Sequence, residues 1–169
     1  MHGTIQVDST PGVGSCFTVV LPFELDPSPS STAPEEPPLT DLHGRTLLVV
    51  EDNALNLEIA EFLLTDAGAT VHRAENGQQA LERYLAAEPG TYDAILMDLM
   101  MPVMDGYEAA QRIRTCDRPD ARTIPIIATS ANAFREDVQK CLDAGMNAHV
   151  SKPLFRNSLL RVLAQFFTS

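Results

Sequence analysis

The chain has 169 residues, 44% of them hydrophobic, which is room for one ordinary domain with a real core plus a tail. A net charge of -11 argues against nucleic-acid binding by bulk electrostatics, and no apolar stretch approaches the roughly 18 residues of a membrane span. Three widely spaced cysteines, Cys16, Cys116 and Cys141, make neither a disulfide framework nor a CxxC metal site, and the N-terminus lacks a signal-peptide pattern, so a reducing cytoplasmic setting is expected.

In chain order, Thr4–Asp8 and Cys16–Leu21 alternate like two strands of a hairpin around a Pro-Gly turn region. Residues 27–44 follow as a proline-rich linker, with Pro27, Pro29, Pro34, Pro37 and Pro38 and no aromatic residue. Composition breaks here: residues 1–44 carry six acids and no lysine or arginine, so all 12 bases fall in 45–169.

The rest alternates between short apolar runs and helical spacing. Leu47–Val50 reads as a strand. Ala54–Asp66 reads as a helix through Leu57, Ala60, Leu63 and Leu64, closed by Gly68. Strand Thr70–Ala74 and helix Gly77–Ala87 come next, then strand Ala94–Met97 and helix Asp105–Thr115. Strand Ile124–Ala128, helix Phe134–Ala144, strand Ala148–Val150 and amphipathic helix Leu154–Phe167 complete the pattern. Five β-α units predict an α/β fold, a doubly wound five-stranded parallel sheet with helices on both faces. Ligands of such sheets sit beyond the carboxyl ends of the strands. Asp52, Asp98, Ser130 and Lys152 all fall there.

An aspartate at the end of the apolar run Ala94–Met97 needs a reason, because a carboxylate near a core is costly. Mg²⁺ takes hard oxygen ligands, and Asp52 and Asp98 offer two. The backbone carbonyl of Met100, where the chain turns toward Pro102, offers a third, with Glu51 close by directly or through water. A divalent ion would relieve the repulsion among these acids. A carboxylate is also a nucleophile toward phosphorus, and Lys152 and Ser130 supply a cation and a hydroxyl donor for the phosphoryl oxygens.

Four segments carry a resemblance: Leu48-Val49-Val50-Glu51-Asp52-Asn53; Leu96-Met97-Asp98 through Met104-Asp105-Gly106; Pro125 through Ala131; and Ser151-Lys152-Pro153. In this order and spacing they resemble the signatures of the response-regulator receiver family over about residues 45–168. The resemblance implies a flavodoxin-like (βα)5 sheet with strand order 2-1-3-4-5. It implies that Asp98 is phosphorylated from phosphohistidine, that Glu51 and Asp52 bind Mg²⁺, that Lys152 contacts the phosphoryl group and that Ser130 moves to hydrogen-bond it. The family's switch position, usually tyrosine or phenylalanine, is His149 here. Positions that tune phosphoryl lifetime correspond to Met100 and Asn132. Asn56, three residues after Asn53, is typical of receivers fused to kinases.

The run Gly3–Phe23 is similar to the last glycine box and closing hairpin of histidine-kinase ATP-binding domains, with Gly12 and Gly14 as loop glycines. The expected organisation is therefore residues 1–26 as that remnant, 27–44 as linker and 45–169 as receiver, from a hybrid sensor histidine kinase. The phosphorylatable histidine helix and the other nucleotide boxes are absent, so no kinase activity is expected of these residues. Expected partners are a phosphohistidine domain of a histidine kinase, a histidine phosphotransfer protein and a second copy in a weak homodimer, with no nucleic acid and no membrane contact. Two other readings compete. An aspartyl-nucleophile phosphatase would carry a second aspartate two residues after the nucleophile, where Met100 stands. A pseudo-receiver interaction module would not need the full acid set.

Overall fold

In the computed structural model of the chain, residues 3–12, 14–22, 41–131 and 135–167 are described. The chain divides into two units, residues 1–36 and 37–169. Most of the expected linker, residues 27–40, lies outside the described residues, as does Asn132.

In the first unit, β1 (Thr4–Thr10) and β2 (Gly14–Val20) form an antiparallel hairpin pairing Ile5 with Val19 and Val7 with Phe17. Both strands run longer than their alternation suggested. Gly12 and Gly14 take φ of 79° and 137°, a region side chains rarely enter, which is why glycine closes this turn. Ile5, Val7, Phe17 and Val19 share one face and all are exposed.

The second unit builds on alternation. In β3 (Thr46–Val50), Leu47 and Val49 point into one apolar cluster, and Leu48 and Val50 into the other. The helix α1 (Ala54–Asp66) starts where the Asn53 side chain accepts from Leu55 N and Asn56 N. Then follow β4 (Thr70–Ala74), α2 (Gly77–Ala86), β5 (Ala94–Asp98) and α3 (Gly106–Thr115). The chain closes with β6 (Ile126–Ser130), α4 (Arg135–Asp143), β7 (Ala148–Ser151) and α5 (Arg156–Phe167). The sheet order is β4-β3-β5-β6-β7, all parallel, which is 2-1-3-4-5 counted within this unit. One face is packed by Ala80, Tyr84, Ala109, Ile113 and Cys141 from α2, α3 and α4. The other is packed by Leu57, Leu64, Leu159 and Leu163 from α1 and α5.

Most boundaries fall within a residue of the sequence reading, and three differences are larger. The strand expected at Ile124–Ala128 is Ile126–Ser130. Ile124 instead donates its N–H to the Asp120 carbonyl in the preceding turn, while Thr129 and Ser130 accept ladder bonds from Leu99 N and Lys152 N. Thr129 and Ser130 therefore end the strand rather than follow it. The last helix starts at Arg156, and Leu154 packs on the core ahead of it. Leu42, which composition puts in the linker, is fully buried against the α1/α5 face, and its N–H donates to the Ala67 carbonyl.

Arg118 anchors the far end of the unit. Its guanidinium bonds both oxygens of Asp120 at 3.0 Å and lies 4.2 Å from the Tyr84 ring, and the Tyr84 hydroxyl donates to Asp120 at 2.8 Å. The Arg118 hydrogen bond holds the Asp120 carboxyl far below the usual range against its burial, with help from Gly90 N–H and Tyr84. Burial, joined by Asp120, pushes the Tyr84 hydroxyl far above its ordinary value.

Candidate functional site

The carboxyl ends of β3, β5, β6 and β7 deliver the polar residues. Glu51 leaves β3 with its N–H on the Ala74 carbonyl, which fixes the turn that carries both acids. Its side chain is buried and doubly held: Asn56 Nδ2 donates to Oε1 at 2.9 Å, and Lys152 Nζ donates to Oε2 at 2.6 Å. Asp52 is exposed beside it. Asp98, the last residue of β5, is 5% exposed, and its Oδ2 takes Lys152 Nζ at 2.8 Å. Each of Glu51, Asp52 and Asp98 offers a carboxylate oxygen within 4.8 Å of the others.

The loop after Asp98 is pinned by Gly106, whose N–H donates to the Leu99 carbonyl at 3.1 Å. A Cβ on Gly106 would lie 2.2 Å from the Asp98 carbonyl oxygen, so only glycine lets α3 start this close to the acid. Met100 N lies 3.5 Å from Asp98 Oδ1, and the Met100 side chain is 78% exposed, facing away from the core.

Lys152 follows β7, with its backbone N–H on the Ser130 carbonyl at 2.7 Å and a cis peptide bond to Pro153. Burial works against its charge, but the hydrogen bonds it donates to Asp98 and Glu51 outweigh burial and hold its pKa above the ordinary lysine value. Ser130 is buried, with Oγ 2.8 Å from His149 Nε2. Glu51, Asp52, Asp98, Ser130 and Lys152 therefore sit at one sheet edge. Lys152 touches both Glu51 and Asp98, Asp52 completes the acid cluster, and Ser130 is bonded to His149. The contact of Asn56 with Glu51 had no sequence signal beyond the family pattern, because a five-residue separation spans the turn and the helix start together.

Three acids offering hard oxygens at one edge, two of them buried around a single ammonium, fit a divalent cation such as Mg²⁺. The same arrangement presents a carboxylate, Asp98, beside a cation, Lys152, and Ser130 brings a hydroxyl to the same end of the sheet.

The family model for the response regulator receiver domain matches residues 47–164. The chain belongs to the response regulator receiver domain family. This receiver is 34% identical over 166 residues to hybrid signal transduction histidine kinase L of Dictyostelium discoideum, covering 98% of this chain and 10% of that protein. It is 35% identical over 146 residues to histidine kinase 3 of Arabidopsis thaliana, covering 76% of this chain and 14% of that one. The chain thus spans only a small part of these relatives. Among solved structures it resembles the receiver domain of a sensor histidine kinase from Pseudomonas aeruginosa PAO1, crystallised with a magnesium ion in its active-site cleft. That match has 40% identity and a TM-score of 0.67, and covers 75% of this chain and 99% of that one. It also resembles the receiver domain of Saccharomyces cerevisiae Ssk1, crystallised with the histidine phosphotransfer protein Ypd1. That match has 27% identity and a TM-score of 0.65, and covers 74% of this chain and 90% of the other. The receiver is a phosphorelay module of the kind found in hybrid histidine kinases and response regulators.

Proposed function

We propose that Asp98 is the phosphoacceptor of this receiver. It takes a phosphoryl group from a phosphohistidine, with Mg²⁺ held by Glu51, Asp52, Asp98 and the Met100 carbonyl, and then relays it or loses it to water. The carrying observation is Lys152 Nζ held between Glu51 and Asp98, at 2.6 and 2.8 Å, inside the acid cluster. An Asp98 carboxylate oxygen attacks phosphorus. The new O–P bond forms as the P–N bond breaks, and its electron pair returns to the donor imidazole, which takes a proton from solvent. Lys152 follows onto the phosphoryl oxygens as Asp98 loses its negative charge to the new bond, and Ser130 donates its hydroxyl proton to one of them. Magnesium, when bound, draws charge off those oxygens. Asn56 keeps Glu51 oriented.

The partner reading rests on α1. Leu55, Ile59 and Phe62, at helical spacing, are 65%, 42% and 67% exposed, while Leu57, Ala60 and Leu64 on the same helix are buried. A helix apolar on both sides presents one face to the core and one to a partner. This strip begins beside the acid cleft, where a helical histidine phosphotransfer protein or kinase phosphohistidine domain would dock. The yeast complex supports that reading.

We further infer that residues 1–26 are the closing hairpin of a kinase ATP-binding domain in a hybrid sensor kinase, and that this part of the kinase lies in the cytoplasm whether or not other segments attach the kinase to a membrane. Two facts support it. The hairpin has a coherent apolar face that is exposed in this chain, and the similarity to hybrid kinase L runs over 98% of the chain, beyond the receiver alone. Among the described residues no helix is long and apolar enough to cross a membrane. Incubation with a labelled phosphohistidine domain and Mg²⁺ tests the function. Label should move to the wild type and not to Asp98→Asn, and transfer to Asp98→Asn would overturn it.

A further inference from the structure

A hydroxyl has one proton to donate, and a neutral imidazole has one N–H and one bare nitrogen. Those two facts constrain the 2.8 Å contact between Ser130 Oγ and His149 Nε2. When Nε2 is bare, it takes the Ser130 proton. When Nε2 carries the ring proton, it donates to Ser130 Oγ, and the hydroxyl proton is directed elsewhere. The strand register sets up the contact: Ala128 pairs with His149 and Ser130 with Ser151, so the ring reaches along the sheet toward its carboxyl edge. Ser130 is 7% exposed and His149 half-buried, so water competes poorly for this bond. A phosphoryl group on Asp98 presents only acceptor oxygens on that side, and Ser130 can meet one only by donating its single proton.

We propose that His149 is a positioning residue that gates Ser130 through the place of its ring proton. In the unphosphorylated chain Nε2 accepts from Ser130. Phosphorylation of Asp98 is coupled to a tautomer change in which Nδ1 releases its proton to water and Nε2 takes one from water. His149 then donates to Ser130 Oγ, and Ser130 donates to the phosphoryl oxygen. An all-carbon ring at this position would fill the same space without this condition. The proposal rests on Asp98 as acceptor and Ser130 as hydroxyl donor. Elements packed against β7 bring other charges. Within residues 139–167 these are Lys140 and Asp143 on α4 and Arg156 and Arg161 on α5, with Lys152 directly after the strand. Arg156 is paired with Asp66 and Lys152 with Glu51 and Asp98.

The test is long-range ¹H–¹⁵N correlation of the imidazole nitrogens in the full chain, with and without Mg²⁺ and beryllofluoride, a tetrahedral phosphoryl mimic. His149→Gln identifies the His149 signals among the four histidines. Fluorine resonances report bound beryllofluoride independently. The expected result is a change at His149 from the Nδ1–H to the Nε2–H form by about tenfold in tautomer ratio, as a charge-assisted bond would drive. In Ser130→Ala, bound beryllofluoride should leave the His149 tautomer ratio unchanged. Bound beryllofluoride with no tautomer change in the wild type overturns this proposal alone, as does an undiminished change in Ser130→Ala. Absence of any bound beryllofluoride overturns the Asp98 chemistry and this proposal with it.

Discussion

Lys152 Nζ lies 2.8 Å from Asp98 Oδ2 and is shared with Glu51 Oε2 at 2.6 Å, so the lysine already holds the proposed acceptor in the unphosphorylated chain. In the proposed reaction its role changes from neutralising two carboxylates to neutralising the transferred group. Both states need a cation at this point, and that need explains why a lysine is kept more than four-fifths buried despite its desolvation cost.

Lys152→Met tests that arrangement. It leaves three carboxylates clustered with no ammonium between them. Stability in chelator should fall by on the order of 2 kcal/mol, below the range for fully buried pairs because the lysine is partly exposed. Mg²⁺ should restore more stability to the variant than to the wild type, read as a larger rise in denaturation midpoint. The sign in pH follows from the raised lysine pKa. This stabilisation is full below the ordinary lysine value of about 10.4 and disappears as pH climbs through the higher folded value. The variant's alkaline limb should therefore be flatter than the wild type's.

Asp120 has the opposite sign. Its carboxyl is held far below the usual range, chiefly by the Arg118 hydrogen bond. Its contribution is complete above the unfolded value of about 3.9 and is lost as pH falls toward the folded one. Asp120→Asn should lower stability at pH 7 by about 1–3 kcal/mol and flatten the acid limb of a urea-midpoint titration. An acid limb as steep as the wild type's would show that Asp120 does not drive the acid dependence.

Gly106→Ala should displace the acceptor loop without touching any charge. The added methyl meets the Asp98 carbonyl oxygen at 2.2 Å, and backbone cannot rotate away as a side chain can. Destabilisation of about 1–3 kcal/mol is expected from overpacking. Phosphorylation should also slow in protein that remains folded by circular dichroism, because Asp98 carries the strained carbonyl.

Phe62→Ser separates docking from chemistry. The side chain is 67% exposed on the α1 strip and far from the reacting atoms in sequence and role. Phosphotransfer from a phosphohistidine protein should slow by about tenfold, as for loss of a modest hot spot, while phosphorylation by a small acyl phosphate stays at the wild-type rate. Equal slowing with both donors would remove α1 as the docking face.

Much of this was legible in the residues, and for local reasons. Glu51, Asp52, Asp98 and Lys152 stand at the ends of apolar runs, and strand ends in a parallel sheet share an edge, so their convergence followed from order alone. The end of β6 was less legible, because Ile124 looks like a strand residue yet is buried in a turn, and polar Thr129 and Ser130 are buried at the strand's carboxyl end. Leu42 was hidden by the prolines before it. Val103, with φ of 71° and 82% of its surface exposed, carries no sequence mark of its left-handed backbone. The Ser130–His149 bond and the bond of Tyr84 to Asp120 join residues 19 and 36 apart, and only three-dimensional packing brings such groups together.

The most direct measurement is intact mass of the purified chain after incubation with Mg²⁺ and a small acyl phosphate, wild type beside Asp98→Asn. A single phosphoryl gain in the wild type, absent from Asp98→Asn and abolished by chelator, is the expected result. An equal gain in Asp98→Asn, or none in folded wild type with either a small donor or a phosphohistidine domain, would contradict Asp98 as the acceptor.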